Sequence, residues 1–121
     1  MKHTESKLQE NCVKWFRYAY PQWRLFLLAI PNGGRRDART GAVLKREGVL
    51  AGAPDLLLFC PFGEKLPLLI EMKRPDGKGR QSESQVEFMR TYRDKGYTYE
   101  VVDSFPKFEE VVTKYLTDGN L

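Results

Sequence analysis

The sequence predicts an α/β domain, a mixed β-sheet flanked by helices in the order α-β-α-β-β-α-β-α. Three observations predict it. Two apolar runs, Ala53–Cys60 and Pro67–Lys73, are joined by only Pro61-Phe62-Gly63-Glu64-Lys65, and so short a connection makes them an antiparallel hairpin. A helical segment then separates the hairpin from the apolar run Tyr97–Val102, which is the crossover that a parallel strand needs. Apolar stripes at helical spacing stand near both ends of the chain.

Taken in order, Thr4 to Ala19 is a helix with Thr4 as N-cap and Leu8, Cys12, Trp15, Phe16 and Ala19 on one stripe. Pro21 stops it. Trp23 to Ile30, apolar and aromatic, is a strand ended by Pro31-Asn32-Gly33-Gly34. The basic stretch from Arg35 to Gly48 holds a short helix from about Thr40 to Glu47, with Gly48 as its stop. After the hairpin, Pro75 to Gly79 is a loop and Ser82 to Lys95 a helix ending at Gly96. Tyr97 to Val102 is the last strand. Phe105 to Leu116 is the last helix, with Pro106 in its first turn and Phe108, Val111, Val112, Tyr115 and Leu116 on one face.

At 121 residues the length suits one domain spanning 1–121, with a core large enough to need no disulfide or metal staple. No apolar run approaches the roughly 20 residues of a membrane span, and no apolar segment follows the charged N-terminus. These features fit a cytoplasmic protein of a bacterial or phage-infected cell that does not engage membranes. Cys12 and Cys60 stand apart with no CxxC, and read as buried thiols rather than zinc ligands. The one histidine, His3, lies at the start of the chain. That leaves no histidine in the fold for a Ser-His-Asp or Cys-His hydrolase. The available chemistry is that of carboxylates, lysine and an oxygen-ligated metal.

Charges inside apolar strands carry the functional signal. In Leu68-Leu69-Ile70-Glu71-Met72-Lys73, alternation puts Glu71 and Lys73 on one face. Asp55 lies as far before Gly63 as Glu71 lies after it, so a hairpin centred near Gly63 sets the two carboxylates opposite each other. Opposed side chains sit about 4.5–5.5 Å apart at Cβ, and two carboxylates that close ionise together only if a cation joins them. Mg²⁺, with its preference for hard oxygen ligands and retained waters, suits the pair. At 100° per residue, Glu5 falls within the apolar arc of the first helix and Glu10 on the opposite face. Gln85 falls on the stripe of Phe88, Met89, Tyr92 and Gly96.

Gly52-Ala53-Pro54-Asp55 followed by Glu71-Met72-Lys73 resembles the PD-(D/E)xK nuclease signature, with its restriction-endonuclease-like core. The run from Leu44 to Asp55, the early Glu5, the Asn32-Gly33 turn and the Ser82-to-Gln85 helix start resemble, more narrowly, the VRR-NUC (virus-type replication-repair nuclease) family. The resemblance spans about Thr4 to Val112. It implies that Asp55, Glu71 and the Met72 carbonyl ligate Mg²⁺ or Mn²⁺, and that Lys73 helps activate water. Glu5 would complete the acidic cluster, and Gln85 would be an accessory residue. It also implies a homodimer, as in Holliday-junction resolvases.

The net charge is +4, from 20 Lys and Arg against 16 Asp and Glu. Arg35, Arg36, Arg39, Lys45 and Arg46 precede the Asp55 strand, and Arg74, Lys78 and Arg80 follow Lys73. Both groups flank the acidic pair, where contacts to DNA phosphates are needed. The expectation is a Mg²⁺- or Mn²⁺-dependent endonuclease hydrolysing DNA phosphodiester bonds, selective for branched DNA such as Holliday junctions. A basic nucleic-acid-binding module without catalysis and a restriction-type duplex endonuclease are the competing readings.

Overall fold

The computed structural model describes residues 4–31 and 38–118, without the side chains of residues 38, 39 and 118. The predicted element order holds: α1 (Glu5–Ala19), β1 (Leu27–Ala29), α2 (Ala38–Arg46), β2 (Leu56–Leu58), β3 (Leu68–Met72), α3 (Glu83–Asp94), β4 (Thr98–Val102) and α4 (Phe105–Asp118). The strands form one sheet in the order β1-β2-β3-β4. β1 and β3 each run antiparallel to β2, and β4 runs parallel to β3 after the α3 crossover.

Thr4 caps α1 by accepting the Lys7 N–H at 3.0 Å. Leu8, Cys12 and Phe16 bury the helix against the sheet, while Ala19, at the last turn, is exposed. The expected strand from Trp23 to Ile30 forms only at Leu27–Ala29, because Pro21–Phe26 coils into a 3₁₀ segment. Pro21 suits the start of such a turn. The aromatic residues then gather on α1 instead of alternating: Tyr20 stacks on Trp23 with centroids 5.5 Å apart, and Trp15 meets Tyr20 edge-on at 5.9 Å. The expected strands Ala53–Cys60 and Pro67–Lys73 shorten to β2 and β3. Pro54, buried and without an N–H, cannot extend the ladder. The short helix starts and ends earlier than expected, and Gly48 follows it in the left-handed region at φ +108°.

The two faces of the sheet differ. Leu56, Leu58, Leu68, Ile70, Met72 and Val102 are all nearly inaccessible and pack with α1 and the Phe108, Val111, Val112, Tyr115 and Leu116 face of α4. Cys12 and Cys60 lie in this cluster as free thiols, and burial pushes the Cys12 thiol up to about 12. The opposite face carries Leu69, Glu71 and Tyr99, and α3 packs on β4. All the charge that β3 carries is therefore on the side away from the main core.

Candidate active site

The hairpin register is the one the sequence predicts. Leu56 pairs with Ile70 and Leu58 with Leu68, so the next residues outward are Asp55 and Glu71. Asp55 is locked there twice. Its N–H donates to the Ile70 carbonyl at 2.9 Å, and its Oδ2 accepts the Met72 N–H at 2.7 Å.

Glu71 is fully buried. A carboxylate in that position needs donors to offset lost hydration, and its two oxygens are treated differently. Oε1 accepts from the Tyr99 hydroxyl at 2.8 Å and from Gln81 Nε2 at 2.9 Å. Burial first, and then the hydrogen bond and charge of Glu71, push the Tyr99 phenol well above its ordinary range, so it stays a donor. Oε2 lies 3.2 Å from Lys73 Nζ but out of hydrogen-bonding alignment, and is left as a buried oxygen without a donor.

Lys73 is also buried, and its ammonium donates to the Gln85 Oε1 at 2.8 Å and the Arg80 carbonyl at 3.0 Å. The same Gln85 oxygen accepts the Ser82 N–H at 2.9 Å, while Ser82 Oγ accepts the Gln85 N–H at 3.2 Å. This capping box therefore ties the start of α3 to the lysine. Gln85 is at once a helix cap and a neighbour of the acidic pair.

Gly52 seats that helix start. Its φ is +86°, and an added Cβ would lie 2.5 Å from the Ser84 carbonyl carbon and 2.8 Å from the Gln85 nitrogen. Gly52→Ala should cost about 2–5 kcal/mol, from left-handed strain of about 1–2 and overpacking of about 1–3. Gly63 also has a positive φ, but an added Cβ there would meet open space, so Gly63→Ala should cost only about 1–2 kcal/mol. Urea unfolding of the two variants checks the difference.

Glu5, the first residue of α1, is half-buried and shares a groove with Asp55. Burial, with the charge of Asp55 next, raises its carboxyl above the ordinary value. Glu10 is exposed, as the helical arc predicts. Asp55 is also raised, by burial first, while the Met72 N–H works against the shift and Glu71 adds to it. Glu5, Asp55, Glu71, the Met72 backbone, Lys73 and Gln85 thus gather at one end of the sheet.

The basic residues are less concentrated. Arg74 is exposed beside the site and pairs with Asp76 at 2.6 Å, and the Lys78 N–H donates to the same carboxylate at 2.9 Å. The Arg80 side chain is exposed and its backbone carbonyl is what holds Lys73. Lys45 and Arg46 are exposed in the last turn of α2. Arg35 and Arg36, with the Asn32-Gly33 turn, lie outside the described residues, as does the Arg39 side chain. Sequence reasoning missed Tyr99, Gln81 and Gly52. Tyr99 left a trace as a polar group in an apolar strand, and Gly52 heads the signature run Gly52-Ala53-Pro54-Asp55.

The metal that the resemblance implies can be tested against these residues. Glu71 Oε2 is a buried carboxylate oxygen lacking a donor, and Asp55 stands across from it as a second hard oxygen group that could ligate a cation. The burial-raised carboxyls of Glu5 and Asp55 describe a place where added positive charge is favourable. Among the described residues no three His, Cys, Asp or Glu side chains come together as a complete metal cage. Mg²⁺ commonly binds through one or two carboxylates and completes its shell with water and substrate phosphate. The residues fit such an ion.

Comparison with known proteins identifies the family and the fold. The model of the VRR-NUC domain matches residues 3–106. A solved VRR-NUC domain protein is 25% identical to this chain and superposes with a TM-score of 0.78, covering 93% of this chain and 88% of its own. A second solved structure, a VRR-NUC domain, is 23% identical with a TM-score of 0.52, over 88% of this chain and 97% of its own, and shares the fold. The search of curated proteins returned no match. The sheet order, the flanking helices and these matches define a PD-(D/E)xK-like fold, and the chain belongs to the VRR-NUC family of nucleases.

Proposed function

We propose that this protein is a divalent-metal-dependent DNA endonuclease in which Asp55, Glu71 and the Met72 carbonyl hold Mg²⁺ or Mn²⁺. The observation that carries the reading is the buried Glu71 Oε2, without a hydrogen-bond donor, in the hairpin position opposite Asp55. A bound ion of this kind lowers the pKa of water and stabilises charge on phosphate oxygens. The chain's own part is positional. Tyr99 and Gln81 saturate one oxygen of Glu71 and leave the other, buried beside Lys73, without a donor. Lys73, fixed by Gln85 and Arg80, keeps a positive charge 3.2 Å from that oxygen, where it can orient a water or stabilise the phosphate's developing charge. Glu5 adds a third carboxyl at the rim.

The chain works, in this reading, as a single nuclease domain and as a homodimer that cuts branched DNA. Exposed Leu25, Leu28 and Phe59 near the edge strand β1 supply apolar surface for a second copy. A two-fold dimer would present two identical centres for paired cuts. No helix among the described residues is long and apolar enough to cross a membrane. Labelled four-way junction, flap, splayed and linear duplex DNA, incubated with Mg²⁺, with Mn²⁺ and with EDTA, test the proposal. Cleavage should require the metal and favour the junction, and sedimentation at micromolar concentration should report a dimer. Full cleavage in EDTA would overturn the metal dependence. A strict monomer preferring linear duplex would overturn the assembly and the substrate.

A further inference from the structure

Asp55, one of the two facing carboxylates, opens with Glu5 onto a groove. It has a volume of about 840 Å³ and runs along α1, with Glu5 and Asp55 at one end and Lys14 and Arg17 farther along the helix. From Glu5 to Arg17 the helix rises about 18 Å at 1.5 Å per residue. The charges along it are graded. Lys7, near the acidic end, has the Glu10 carboxylate 4.0 Å away. Lys14 and Arg17 are exposed and have no ion-pair partner among the described residues. Asn11 lies on the α1 side between them, and the apolar Ala29 and Ile30 form the facing wall.

A groove that begins at the proposed cutting centre and becomes cationic away from it matches a polyanion anchored at that centre. Its volume is that of a ligand cleft, enough for a few nucleotides of one strand. We infer that the α1 groove seats the DNA strand flanking the scissile phosphate, with Lys14 and Arg17 contacting phosphates beyond the cut. This rests on the nuclease reading above. It adds residues that lie outside the two basic segments flanking Asp55 and Lys73 in sequence. The apolar wall would lie against sugars and bases, which gives sequence-tolerant contact.

The test is the salt dependence of DNA binding by the full chain in EDTA, where no cutting occurs. Fluorescence anisotropy is read on a duplex carrying a single-stranded tail. Removing one Lys or Arg from a phosphate should reduce the slope of log K against log salt by about 0.7–0.9. The double variant Lys14→Ala/Arg17→Ala should therefore show a slope smaller by about 1.4–1.8. Lys95→Ala/Lys114→Ala, which removes exposed charges from α3's end and α4, should leave the slope unchanged. With metal restored, the groove variant should raise KM and leave kcat largely unchanged. A slope equal to that of the control variant, with wild-type DNA binding intact, would overturn the groove and leave the nuclease reading standing. Absence of salt-dependent DNA binding by the wild type would overturn both.

Discussion

Asp55→Asn should eliminate cleavage and leave the protein as stable as the wild type or more stable. The activity loss should exceed the 10–100-fold that removing an outer partner of a metal ligand produces, because the proposed ligand itself is neutralised. The stability sign follows from the raised carboxyl. Burial, reinforced by Glu71, lifts the folded-state pKa of Asp55 above its ordinary value, so at neutral pH its negative charge opposes folding. An asparagine carries no charge, and its side-chain oxygen can still accept the Met72 N–H that Asp55 Oδ2 accepts at 2.7 Å. Thermal unfolding in EDTA at neutral pH checks the stability, and a junction-cleavage assay checks the activity. A variant that cuts at the wild-type rate would remove Asp55 from the site. A large loss of stability would show that the aspartate is there for the fold.

Lys73→Met should have the opposite stability signature. The ammonium is buried among Glu71 Oε2, Gln85 Oε1 and the Arg80 carbonyl. Its removal strands a fully buried carboxylate, and breaking a buried pair on one side costs about 3–5 kcal/mol. Methionine keeps the stem, which lies against Gly79, so the loss reflects charge and hydrogen bonding. Cleavage should fall by about 100- to 10,000-fold, the range for a group that assists proton transfer or stabilises transition-state charge. Urea unfolding and single-turnover cleavage at a temperature where the variant remains folded separate the two effects. A lysine read from the sequence only as a group that helps activate water is expected to be replaceable with the fold intact. The buried network changes that expectation. Unaltered single-turnover cleavage in the folded variant would leave Lys73 a purely structural cation.

The parts of this site legible in the sequence are those set by local rules. Asp55 and Glu71 can be placed opposite each other because two apolar runs flank one glycine turn, and alternation then fixes the shared face of Glu71 and Lys73. Helical spacing is enough to turn Glu5 inward and Glu10 outward. What escapes depends on contacts distant in sequence. Tyr99 reaches Glu71 only through the parallel pairing that sets Leu69 beside Tyr99, and no local pattern gives that register. Gly52 is needed because the backbone of α3's first turn passes against it, which only the packed fold reveals. The Trp23–Ile30 segment departs from its expected strand for a related reason. Its aromatic composition suits a strand, but Pro21 and the Trp15–Tyr20–Trp23 cluster draw its first half into a 3₁₀ turn. Arg80 illustrates a further limit. Its side chain suggests a phosphate contact, while the contribution seen in the fold is its carbonyl on Lys73.

The central claim is that Asp55 and Glu71 form a divalent cation site, and calorimetric titration of Mn²⁺ into the metal-free protein tests it most directly. The wild type should bind Mn²⁺ saturably, and Asp55→Asn, folded and at least as stable, should lose that binding. Absence of saturable binding in the wild type, or equal binding by both proteins, would contradict the account.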